Sequence, residues 1–296
     1  MICIPFVPGT FAMTIEYVIR TYTDEYINCR LDASIAPDGS MHSLIDTAND
    51  KQNHIIRANN ILPAIATTTE NTVLTVIYPM VDLCAIDLLE LIVNNKKDND
   101  KLILMYIDTI ECAEINMLFQ YHKIAVGRYL HLAQGLGIFC SDNSIFSNWS
   151  DMRVWELRQR LSLFYTKRIT EWVNVRDYNN TNVLKIKSSD MLTKTADTLK
   201  TIIHYCGLTL ASSDKLENFS VKWRSKQQYV LDEYQLINNI VDAVINNQQL
   251  IWQPLNIIAE SIIQQKLRAS GCDLNCYMLD EFPTTADSLR ALIKNE

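Results

Sequence analysis

Met1-Ile-Cys-Ile-Pro-Phe6, then Val7-Pro-Gly-Thr10, then Phe11 to Arg20: the reading of these twenty residues decides the fold. The first six form an apolar run with the length of a buried strand. The next four contain Pro and Gly, the composition of a turn. From there Phe11, Ile15, Val18 and Ile19 recur at helical spacing, with Thr14, Glu16 and Arg20 polar between them. Strand, Gly-containing turn and helix in that order aim backbone N–H groups and a positive helix end at an anion. The stretch therefore reads as a phosphate-binding loop. Its donors are the N–H groups of Gly9, Thr10, Phe11 and Ala12 and the hydroxyls of Thr10 and Thr14. Pro8 has no N–H to give. The competing reading is a plain strand–helix turn that uses Gly for a positive φ.

The alternation continues along the chain. Val73 to Tyr78 reads as a strand stopped by Pro79, and Val81 to Val93 as a helix. Lys101 to Ile107 reads as a buried strand, with Asp108 or Thr109 capping a helix over residues 110–126. Arg153 to Trp172 is predicted helical. Val183 to Lys187 reads as a strand, and Leu192 to Cys206 as a helix closed by Gly207. The rest is expected to be mostly helical to residue 269, with Leu236 to Leu267 as one helix, and irregular after it. Lys222, Trp223, Arg224 and Lys226 read as an extended stretch. Residues 21–70 are mixed and polar, with a turn at Pro37-Asp-Gly39. Strands alternating with helices predict an α/β fold with a parallel sheet flanked by helices. The expected organisation is a single domain over 1–296, with a helical C-terminal part over 215–296. Ligands of such sheets sit beyond the carboxyl ends of the strands. The ends after Phe6, Ile107 and Lys187 are therefore the places to look.

The 296 residues carry a formal charge of −7, which argues against a broad nucleic-acid surface. The eight Cys show no CxxC and no Cys/His metal spacing. They predict free thiols, no metal centre, no disulfide and a reducing compartment, the cytoplasm. No apolar run reaches the length of a membrane span.

Three segments carry a family resemblance. Pro5-Phe-Val-Pro-Gly-Thr-Phe-Ala12 ends the first strand. Leu102 to Ile107 is a strand followed by Asp108, with Asn116 eight residues on. Val183-Leu-Lys-Ile-Lys-Ser-Ser-Asp-Met-Leu192 leads into a helix ending Tyr205-Cys-Gly-Leu208. In this arrangement the chain resembles the PAPS-dependent sulfotransferase family of P-loop proteins, over roughly 1–20 and 100–208. The family loop runs Pro, a basic residue, Ser or Thr, Gly, then two hydroxyl residues. Gly9 and Thr10 match it, while Phe6, Val7 and Pro8 stand where the basic residue is expected. The family's second element is a strand ending in Arg, with a Ser eight residues later on the next helix, and both contact the donor's 3′-phosphate. Asp108 and Asn116 stand in those places. The third segment, an acidic-Leu pair before a helix ending F-L-G-L, matches best. In the C-terminal third, Arg268-Ala-Ser-Gly271 is a faint echo of the family's R-K-G segment.

The resemblance implies a transferase that moves a sulfuryl group from PAPS to a hydroxyl or amine, on a small-molecule or glycan acceptor. Gly9, Thr10, Phe11, Ala12, Thr14 and Asn116 would hold PAPS or PAP. Lys222, Arg224 and Lys226 alternate so that they could face a 3′-phosphate, with Trp223 against a base and Arg268 as a further cation; the competing and favoured reading is a solvated edge rich in Lys and Arg. The acceptor needs a base, and the candidates are His42, His54 and Glu16, then Glu25 and Asp32. Each of these also reads as an ordinary surface residue. His122 reads as a packed or capping residue, and Trp155 and Trp172 as core. The alternative function is a non-catalytic binding or structural protein that kept the fold and lost the donor site. Val7, Asp108 and the missing R-K-G segment favour it.

Overall fold

The structure, a computed structural model, describes residues 1–6, 11–25, 55–56, 73–77, 85–124, 178–274 and 281–293. The strands are β1 (Ile2–Phe6), β2 (Ile55–Ile56), β3 (Val73–Ile77), β4 (Lys101–Tyr106) and β5 (Val183–Lys187). They form one sheet in the order β2-β3-β1-β4-β5. Every pairing is parallel: Ile2 lies opposite Val73 on one side and Lys101 on the other, and Leu102 lies opposite Val183. From β1 the chain crosses to the edge strand β2, returns through β3 beside β1, and then extends on the other side through β4 and β5. The switch of direction therefore lies at the carboxyl end of β1, where such sheets form a crevice.

The helices are α1 (Ala12–Tyr22), α2 (Ala85–Asn95), α3 (Ile110–Ile124), α4 (Ser188–Thr193), α5 (Thr195–Tyr205), α6 (Ser213–Ile245), α7 (Ile257–Ala269) and α8 (Ala286–Arg290). Side chains alternate across the sheet with the period of two that a pleated strand imposes. Cys3, Leu102, Leu104 and Tyr106 enter one core with α2, α3, α7 and the later part of α6. Ile2, Ile4, Ile103 and Met105 enter the other with α1, α5 and the first turns of α6. At 33 residues, α6 is about 50 Å long and packs into both layers.

The parallel α/β class and the strands at 2–6, 73–77, 101–106 and 183–187 agree with the sequence reading. Three expectations fail. Lys222 to Lys226 is not extended but lies inside α6. The helix expected over Leu236 to Leu267 is two helices, separated by residues 246–256. Asn247 turns the chain with a φ of 55°, and Asn256 accepts from the N–H groups of Ile258 and Ala259 to start α7. A short helix, α8, also lies in the tail expected to be irregular. Arg153 to Trp172, including Trp155, and the turn at Pro37 lie outside the described residues. Cys3, Cys112, Cys206 and Cys272 are free thiols; the other four Cys lie outside the described residues. Among the described residues, no helix is long and apolar enough to cross a membrane.

Candidate functional site

Gly9 and Thr10 lie outside the described residues, so the site is built from what flanks them. Phe11 follows directly and carries a positive φ of 68° in the left-handed region. An L side chain is strained there. Packing holds it: the Phe11 ring meets Phe119 of α3 edge-on at 5.2 Å and Trp223 of α6 at 5.0 Å. Phe11 packs against both cores, so an aromatic cluster stands at the entry to α1, next to the switch of direction in the sheet. Ala12 is 1% and Thr14 4% exposed.

The next strand end is polar. Thr109 Oγ1 accepts from the N–H of Cys112, the cap expected at this junction. Ser189 donates to Asp108 Oδ2 at 2.8 Å, which ties the end of β4 to the residues just after β5. Asp108 Oδ1 is buried and has no hydrogen-bond partner. Asn116 is fully buried; its Nδ2 donates to Ser188 Oγ at 3.2 Å and lies 3.8 Å from Cys112 Sγ, and its Oδ1 has no partner. Burial, the Asp108 charge and a hydrogen bond to Asp108 push the Cys112 thiol up to about 12, against the opposing effect of Ser188. Cys112, Asn116 and Phe119 form one stripe of α3 at spacings of four and three. Asn116 therefore lies about one turn from the ring that touches Phe11.

The expected cations do not gather here. Lys222 and Arg224 are exposed, and two helical positions apart they point about 160° away from each other. Arg224 reaches the carbonyl of Thr193 at 3.5 Å, at the end of α4. Trp223 is 1% exposed, which corrects its reading as a platform for a base: neither ring face is open to a ligand. Arg268 pairs with Asp273 at 3.7 Å. Its segment is the C-terminal cap of α7, with Gly271 at φ 84° and the N–H of Cys272 returning to Leu267. That corrects the echo of a phosphate-binding R-K-G segment.

Among the base candidates, Glu16 is 2% exposed and accepts from Arg20 Nε at 2.9 Å, one turn on; Arg20 also reaches the Val73 carbonyl. The carboxylate is engaged inside the α1–β3 packing. Glu25 is exposed and accepts from the N–H of Thr209 at 2.8 and 3.1 Å. Burial raises its pKa, but hydrogen bonds from its own backbone and from Thr209 outweigh that and hold the carboxyl below its ordinary value. His42, His54 and Asp32 lie outside the described residues. His122 lies on α3 as expected.

Ser188 and Ser189 are the site residues that the sequence reading passed over. They were visible only as part of a segment with a structural role, because their partners stand 72 and 81 residues away in sequence. Chemically, the edge formed by β4 and β5 offers hydroxyls, an amide and one carboxylate. No family model matches the chain, and no curated protein or solved structure matches it.

Proposed function

We propose that the chain has a sulfotransferase-like architecture that has lost its PAPS site, and that it acts as a non-catalytic binding or structural protein. The observation that carries this is Asp108, whose carboxylate takes the Ser189 hydroxyl at the strand end where the resemblance expects an Arg on phosphate. Two unit negative charges 4 Å apart repel by about 4 kcal/mol at an effective dielectric constant near 20. A hydrogen bond from Asn116 to the charged phosphate would return only about 1.5–3 kcal/mol. Repulsion wins, and the exposed Lys222 and Arg224 do not converge to offset it. Calorimetric titration of PAP into the full chain tests the reading. No binding is expected, and binding that disappears in Gly9→Val would overturn it.

One observation favours the second reading, a sulfuryl transferase acting on a hydroxyl or amine. Asn116 lies one turn from Phe119, which touches Phe11 at the entry to α1. The first strand–helix junction and Asn116 are thus neighbours, the arrangement a donor site needs. Transfer of labelled sulfate from PAPS to an alcohol or amine, lost in Gly9→Val, would establish this second reading.

A further inference from the structure

We propose that Phe11 is a two-state latch on the entry to α1, held closed by aromatic packing against the strain of its own backbone. The inference goes beyond the loss of the PAPS site and does not depend on it.

Among the described residues, two that are not Gly take a positive φ, Phe11 at 68° and Asn247 at 55°. Asn tolerates the left-handed region, whereas a bulky Phe there is an outlier. Such strain persists only where the surroundings over-determine it, and it gathers at ligand clamps and switches. Here the surroundings are two rings. Phe11 meets Phe119 of α3 and Trp223 of α6 edge-on, at 5.2 and 5.0 Å. Trp223 is 1% and Phe119 7% exposed, while Phe11 is half-buried, so the cluster meets solvent through Phe11. The Trp223 indole N–H is buried with no acceptor, and water is the partner it gains when the cluster opens.

Each edge contact favours the closed form about two- to tenfold. The left-handed backbone opposes it about five- to thirtyfold, and the unsatisfied indole N–H opposes it further. These effects nearly cancel, and burial of the Phe11 ring tips the balance towards the closed form. The open form is then a minor state, about one molecule in a hundred to one in ten. In it the ring has turned out, and the backbone has returned to the extended region usual for a residue that starts a helix. The first bonds of α1 survive this change. The N–H groups of Thr14 and Ile15 donate to the Phe11 carbonyl, which an extended N-cap residue also offers. Thus α1 stays folded while its entry parts from α3 and α6. A ligand or partner that fits only the open form would draw the population to it.

The test follows hydrogen exchange of the Trp223 indole by NMR in the full chain, its resonance identified by its loss in Trp223→Phe. Exchange through the latch should change little with urea below the unfolding transition, because so little surface opens. Asn256→Ala, which lowers global stability at the start of α7, should leave the rate unchanged. Phe119→Leu, which removes one of the two ring contacts, should raise it about two- to tenfold. Exchange that climbs with urea along the full unfolding slope, or that Asn256→Ala accelerates, would show that the indole is reached only by global unfolding, and the inference is overturned. An unchanged rate in Phe119→Leu overturns it too, since the opening would then lie elsewhere. Should Phe119→Leu not fold, the urea slope and Asn256→Ala decide.

Discussion

Tyr234 donates its phenolic hydroxyl to Glu114 Oε2 across 2.6 Å, joining α6 to α3 inside the core. Lys266 of α7 completes a triangle, 3.0 Å from the same carboxylate oxygen and 2.9 Å from the Tyr234 hydroxyl. Glu114 is 1% exposed, whereas the Lys266 side chain retains 24%. A buried hydrogen bond to a charged group contributes about 1.5–3 kcal/mol. Tyr234→Phe should therefore lower stability by about 2 kcal/mol in urea unfolding. Lys266→Met withdraws the positive charge from a buried carboxylate and should cost more, about 3 kcal/mol, at the low end for broken buried pairs because Lys266 is partly exposed. The reverse order of the two losses would show that the triangle is not an ion pair in energetic terms.

Phe11 yields a prediction with an unusual sign. Its ring packs on Phe119 and Trp223, while its backbone has a φ of 68°. Truncating this partly buried ring should cost about 2 kcal/mol, below the range for a fully buried Phe. The left-handed backbone costs an L residue about 1–2 kcal/mol, which Gly escapes and Ala does not. Phe11→Gly should thus be more stable than Phe11→Ala by about 1 kcal/mol, the reverse of their order inside a helix and in line with the preference for Gly over Ala at an N-cap. Equal melting of both variants would mean the backbone relaxes once the ring is gone.

The start of α7 gives a third. Asn256 accepts from two helix N–H groups at 3.0 and 2.9 Å, and its Nδ2 also donates to Glu233 of α6. Asn256→Ala removes the cap and the link between helices, and should cost about 1–2 kcal/mol. Asn256→Asp keeps the cap acceptor but places a second negative charge beside Glu233. If the cap dominates, Asp should recover more than half of the loss; if the link dominates, it should recover none.

The sequence was most legible where local rules act alone. Ile2 to Phe6 and Leu102 to Ile107 are apolar runs of strand length, and they became neighbouring parallel strands. Thr109 caps α3, and Gly207 closes α5 at a φ of 69°, with Leu208 N–H returning to Ile203. Those features need only nearby residues. What failed needed distant ones. Lys222, Trp223 and Arg224 look like an alternating strand until Trp223 is seen buried among Ile2, Ile15 and Leu199 on one side of a helix. The break between α6 and α7 hangs on Asn247 adopting a left-handed turn, and apolar periodicity does not announce it. At the candidate site, Asp108 and Asn116 were visible, but the serines that engage them come from another strand end.

The thiols give a prediction in which the sign of the pH effect can be worked out. Burial pushes Cys3, Cys112 and Cys206 up to about 12 from the ordinary 9.0. Asp100 adds to the effect on Cys3 and Asp108 to that on Cys112, while Lys101 offsets part of it at Cys206. Between pH 9 and 12 the unfolded chain has lost these protons while the folded chain still holds them. Fewer protons are then bound in the unfolded state, so stability falls as pH rises. The contribution is intact below pH 9 and is lost progressively towards pH 12, at up to about 1.4 kcal/mol per pH unit for each thiol. Because only the thiolate attacks alkylating reagents, the three should also resist iodoacetamide at pH 9 in the folded chain and react once it is unfolded. Peptide mass spectrometry reads the labelling site by site. Urea midpoints at pH 8, 9 and 10 for the unchanged chain and Cys112→Ala read the linkage, and the variant should show the shallower decline. Rapid native labelling of Cys112, or equal declines in the two chains, would mean that its thiol is reached by solvent and is not held protonated by the fold.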